Sequence, residues 1–109
     1  MRSPVAQRAL CVAIALATAA CTEQTPEDPG RAALESRCAR CHAIGETDTS
    51  AHAEAPPFRD IVKRYPPESL AEALAEGIVT GHPDMPEFVL SPGEIGAVID
   101  YLTTLVPNR

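Results

Sequence analysis

The sequence predicts an all-α domain of about four short helices, and three observations carry that expectation. Apolar residues recur at helical spacing in four separate stretches. No stretch shows the alternating, β-branched pattern of a strand. Eleven prolines spread over 109 residues leave no run long enough for a coiled coil. The length allows one domain and excludes a multidomain enzyme, and a net charge of −6 has the wrong sign for a nucleic-acid binder. With two Phe, two Tyr and no Trp, a core of side chains alone is thin, so a non-protein group is expected to fill part of it.

Residues 1–20 read as an export signal. Arg2 and Arg8 form a positive start, and Ala9 to Ala20 is an uncharged, mostly apolar run ending in small side chains. That run is far shorter than the roughly 20 residues that cross a bilayer. Cys11 leaves with the signal. Leu16-Ala17-Thr18-Ala19-Ala20-Cys21 resembles a bacterial lipobox, with Thr18 where that motif takes Leu, Val or Ile. Lipidation of Cys21 and ordinary cleavage after Ala19 or Ala20 are therefore competing outcomes. Residues 21–29 are polar, acidic and interrupted by Pro26 and Pro29, which predicts a flexible leader. The folded domain is then 30–109, working outside the cytoplasm in the periplasm, free or lipid-anchored to the membrane. From Thr22 onward the net charge is −8.

The first helical stretch places Gly30, Leu34, Cys38 and Cys41 on one face. It runs into Cys38-Ala39-Arg40-Cys41-His42, a C-x-x-C-H sequence. With four Cys and three His in the chain, chance produces such a pentapeptide with a probability of about 0.004, so it is read as functional. Two thiols three residues apart can each form a thioether with one of two neighbouring vinyl groups of a haem, and the adjacent imidazole then faces the iron. Three other fates are weaker. A thioredoxin-like pair needs strands around it. A zinc site needs a second ligand pair, and Cys21 lies in the leader. A plain disulfide leaves His42 without a role.

The second stretch, Phe58, Ile61, Val62 and Tyr65, ends at Pro66-Pro67, and its outer residues Arg59, Lys63 and Arg64 form a basic cluster expected mainly to face solvent. The third runs from about Pro67 to Glu76, with Leu70, Leu74 and Ile78 inward, Glu68, Glu72 and Glu76 outward, and Gly77 as its stop. Gly81 to Phe88 is read as a stiff loop, because Pro83 and Pro86 restrict the backbone on either side of Met85. Met85 is the only methionine besides Met1 and the candidate for the second axial position of the iron. A gap-filling Met in the core is the plain alternative, and His52 and His82 are rival ligands, both read mainly as solvent-exposed. The fourth stretch is the clearest. Ser91 is the N-cap, Pro92 fits the first helical position, Glu94 completes a capping box, and Ile95, Val98, Ile99, Leu102, Leu105 and Val106 keep the helical period.

These residues together resemble the class I c-type cytochromes, small mono-haem electron carriers with an early C-x-x-C-H and a later methionine followed by proline. The resemblance covers 30–109. Gly30 and Leu34 stand eight and four residues before the first motif cysteine, as in that family, and Ala55-Pro56-Pro57-Phe58 is similar to its proline segment. The absence of Trp and the long polar loop between His42 and Pro56 depart from it. The resemblance implies a small cytochrome c fold, with helices wrapped around one covalently bound haem c and its iron. It implies attachment at Cys38 and Cys41, axial ligation by His42 and Met85, and a Pro56 carbonyl that accepts a hydrogen bond from the axial histidine. The terminal helices are expected to cross at Gly30 and Tyr101.

Such a protein is an electron carrier and not an enzyme, since an iron with both axial positions filled has no place for a substrate. Ile44, Phe58, Ile61, Leu70, Leu74 and Phe88 are the expected apolar shell. The acidic surface predicts redox partners with neutral or basic docking surfaces and a monomeric chain. Two further classes stay open: a haem subunit dedicated to one dehydrogenase or oxidase, and a gas-binding haem sensor with a displaceable Met85. A single C-x-x-C-H disfavours a peroxidase.

Overall fold

The computed structural model describes residues 27–77 and 83–108. Cys11, Cys21, Ile78 and His82 lie outside the described residues. Those described form four helices and no strand: α1 (Pro29–Arg37), α2 (Phe58–Arg64), α3 (Pro67–Glu76) and α4 (Pro92–Thr104).

Helix α1 begins at Asp28, whose carboxylate accepts the N–H groups of Gly30 and Arg31 at 2.8 and 3.0 Å. Pro29 takes the first helical position, where its missing N–H costs nothing. The spacing predicted a helix through Cys41, but α1 stops at Arg37. Cys38 leaves helical geometry at φ −122°, ψ −28°. The N–H groups of Cys38 and Ala39 share the Leu34 carbonyl at 2.7 and 3.0 Å. That tightened end lets the next residues close a turn of their own, in which Cys41 and His42 donate to the Cys38 carbonyl at 3.1 and 2.9 Å.

Pro66 and Pro67 separate α2 from α3, and Gly77 ends α3 with φ +95°, a conformation that suits a residue without Cβ. Tyr65 was expected inside the α2 stripe and is 57% exposed. It stands at the C-cap in an extended conformation, so the helical period no longer decides where its ring points. On α4 the capping box is complete: the Ser91 hydroxyl accepts the Glu94 N–H at 3.3 Å, and the Glu94 carboxylate accepts the Ser91 N–H at 2.9 Å.

Helix α4 is the spine, packed on α1, α3 and, over less surface, α2. Leu34, Val98 and Leu102 are at most 1% exposed, and side chains of this kind each contribute about 1.5–3 kcal/mol when fully buried. At the α1–α4 crossing a Cβ on Gly30 would overlap the Ala97 carbonyl group and lie 2.8 Å from Tyr101 Cβ. The predicted crossing at Gly30 and Tyr101 is therefore what the packing shows. The Tyr101 hydroxyl donates to the Ile44 carbonyl at 2.7 Å, which fastens the segment after the cysteine turn to α4.

Candidate functional site

The helices leave a cleft of about 760 Å³ between the 38–42 turn, residues 52–56, α2, α3 and the 84–88 segment. That is within the range of cofactor sites, about 300–1,000 Å³. One end of α1 and its following turn bring Cys38, Cys41 and His42 to the wall, and the segment before α4 brings Met85 to it. Phe58 and Ile61 of α2, Leu70 and Leu74 of α3, and Phe88 supply an apolar lining. Ile44, expected in that shell, is buried in the core instead. Its carbonyl is drawn to Tyr101, which turns the residue away from the cleft and into the α1–α4 packing.

No disulfide joins Cys38 to Cys41. In the chain before any attachment, burial pushes the Cys38 thiol up to about 11, against the pull of the neighbouring Arg37 guanidinium. The Nδ1–H of His42 donates to the Pro56 carbonyl at 2.8 Å, and the ring lies tilted against Phe58 with centroids 5.3 Å apart. With Nδ1 carrying the proton, Nε2 is left as the basic nitrogen. The α2 N-terminus holds this arrangement in place: the Phe58 N–H donates to the Ala43 carbonyl at 2.9 Å, next to His42.

His52 departs from expectation. It is half-buried and lines the cleft, and both ring nitrogens are engaged: Nδ1 accepts the Glu54 N–H at 3.2 Å, and Nε2–H donates to Asp84 Oδ2 at 3.1 Å. Composition alone hid this, because the polar stretch 47–55 has no periodicity that distinguishes one side chain from its neighbours. The basic cluster on α2 lies off the cleft as expected. Lys63 pairs with Asp60 at 2.7 Å, while Arg59 donates to the Asp48 carbonyl at 2.7 Å. Sequence reasoning passed over Arg37, Arg40 and Asp84, all of which line the cleft. Its mouth therefore carries both signs of charge.

The donor set suits a haem: a pair of thiols on one turn, an imidazole with a free Nε2, a thioether, and an apolar lining of planar and branched side chains. Comparison with known proteins agrees. A family model described as cytochrome C oxidase, cbb3-type, subunit III matches residues 25–102. The chain is 32% identical over 101 residues to cytochrome c-552 of Bradyrhizobium diazoefficiens, covering 92% of this chain and 95% of that protein. No solved structure matches the chain significantly. On this evidence the chain belongs to the c-type cytochromes, in the cbb3-type subunit III family, and is an electron-transfer haem protein whose cofactor is a covalently bound haem c with its iron.

Proposed function

We propose that the protein is a one-electron carrier whose haem is attached through Cys38 and Cys41 and ligated by His42 and Met85. The observation that carries this reading is that all four side chains line one largely apolar cleft. The haem supplies reversible one-electron exchange at its iron. The chain's own residues do the rest. The Pro56 carbonyl holds the His42 proton on Nδ1, which orients the ring and makes Nε2 a stronger donor. Met85 offers a thioether, which favours the ferrous state relative to a second imidazole, and the lining of Phe58, Ile61, Leu70, Leu74 and Phe88 excludes water and disfavours the extra charge of the ferric state. Met85 is favoured over His52 because both His52 nitrogens already have partners.

The test is the optical spectrum of ferric protein matured with haem c. Wild type is expected to be low-spin and to show the weak long-wavelength sulfur-to-iron band, and Met85→Ala is expected to lose it. A band that is missing from wild type, or that survives the substitution, rejects the assignment. Little carbon monoxide uptake by the ferrous protein separates a carrier from a gas sensor.

In the same proposal residues 1–20 are the export signal, 21–29 the leader and 30–109 the haem domain, and the protein works in the periplasm. Among the described residues no helix is long and apolar enough to cross a membrane. Intact mass of the native protein distinguishes a diacylglycerol on Cys21 from a bare mature N-terminus. Exchange passes through the cleft mouth to redox partners with neutral or basic docking surfaces, so the association rate with a partner whose docking surface is basic is expected to fall as salt rises. A second reading, a haem subunit of one oxidase, takes its support from the description of the matching family. Stable co-purification with an oxidase favours the subunit, and recovery of the protein alone favours the carrier.

A further inference from the structure

We propose that His52 is a positioning residue for Met85, a strap that ties the segment carrying the thioether to the turn carrying His42. The inference rests on the assignment of Met85 as an iron ligand. The backbone of His52 belongs to the histidine side of the cleft: its N–H donates to the Cys41 carbonyl at 3.1 Å, and its carbonyl accepts the Ala55 N–H at 3.1 Å. The ring reaches the other way. Because the Glu54 N–H donates to Nδ1, the ring proton sits on Nε2, where it is donated to Asp84 at 3.1 Å. Asp84 directly precedes Met85.

The strap matters because, apart from Phe88 packed against the core three residues further on, the described residues offer this segment few attachments. Among the described residues the His52–Asp84 contact is the one hydrogen bond that joins 83–89 to another part of the chain, and the next attachment is the Leu90 N–H on the Leu74 carbonyl at 3.0 Å. Pro83 and Pro86 stiffen the backbone but bring no N–H with which to anchor it. The Asp84 side chain is 61% exposed, so burial does not fix its place. Among the described residues, the hydrogen bond that reaches residue 84 from across the cleft comes from the His52 imidazole.

A residue of this kind shows itself in how readily Met85 is displaced. The experiment compares the holoprotein with His52→Ala, His52→Gln, Asp84→Ala and the double alanine variant. It records the sulfur-to-iron band and the affinity of the ferric protein for added imidazole, which competes for the same axial position. Losing one exposed hydrogen bond is expected to tighten imidazole binding about fivefold in His52→Ala and by a similar factor in Asp84→Ala. The double variant is expected to be no tighter than either single one. His52→Gln should stay near wild type, since its carboxamide can donate to Asp84 and accept from Glu54. Wild-type imidazole affinity in both alanine variants, or additive effects in the double variant, overturns the strap while leaving the ligand assignment standing. A wild type without the sulfur-to-iron band overturns the assignment itself, and the strap with it.

Discussion

Tyr101 joins two parts of the molecule through one side chain. Its Cβ lies at the Gly30 crossing, and its hydroxyl donates to the Ile44 carbonyl two residues beyond His42. Replacing it with Phe keeps the packing and leaves that carbonyl unpaired, so Tyr101→Phe is expected to cost about 1–3 kcal/mol in chemical denaturation. The pH dependence has a definite sign. Burial raises the Tyr101 phenol above its usual value of 10.0, against the opposing charge of Arg31. A phenol that is harder to ionise in the folded state stabilises the fold below its unfolded pKa, and that contribution is lost as pH rises through the folded one. Wild type should therefore lose stability more steeply than Tyr101→Phe above about pH 10, and parallel curves for the two proteins there would show that the phenol is not what titrates.

At the level of elements, α1 and α4 make the strongest demands. The obstacle to a side chain at Gly30 is the backbone carbonyl of Ala97, so no trimming of a neighbouring side chain relieves it. Gly30→Ala is expected to push the helices apart at a cost of about 2–3 kcal/mol, read from the denaturant midpoint, and Ala97→Gly should not rescue it. Helix α4 depends on its start. Ser91→Ala should cost about 1 kcal/mol. The Ser91 backbone and hydroxyl, with Arg37, hold the Glu94 carboxyl below its usual range, so its contribution is present above the unfolded pKa and disappears as pH falls through the folded one. Glu94→Gln should flatten stability across that acid limb while leaving the neutral limb parallel to wild type. Helix α4 was legible from its cap and its period-3.6 stripe and α1 from its stripe alone, because these are local signals; the Asp28 cap of α1 went unread. The end of α1 was not, since Cys38 continues the apolar stripe, and the closure shows only in the structure, in the Cys38 backbone angles and the doubled acceptance at the Leu34 carbonyl. The same holds at the cleft: C-x-x-C-H and Met-Pro can be read in the sequence, but a contact between residues 52 and 84 has no sequence pattern that announces it.

At the scale of the whole molecule, the proposed haem would complete the apolar core. The fully buried packing is concentrated where α4 meets α1, whereas Phe58, Ile61, Leu70 and Phe88 line the cleft and are only partly covered by protein. Without a haem those faces of α2 and α3 meet water, and a domain this small has little surplus stability to offset that loss. A chain with both Cys38→Ala and Cys41→Ala, purified without haem, is therefore expected to keep part of its helical circular dichroism, since the α1 and α4 caps and their contacts remain. It should also bind a dye specific for exposed apolar surface and unfold over a broad, shallow transition. The comparison is with holoprotein in the same denaturant series. A haem-free variant that unfolds as sharply as holoprotein, at the same midpoint and without dye binding, would show that the α1–α4 packing holds the fold alone and that the cleft is rigid before it is filled.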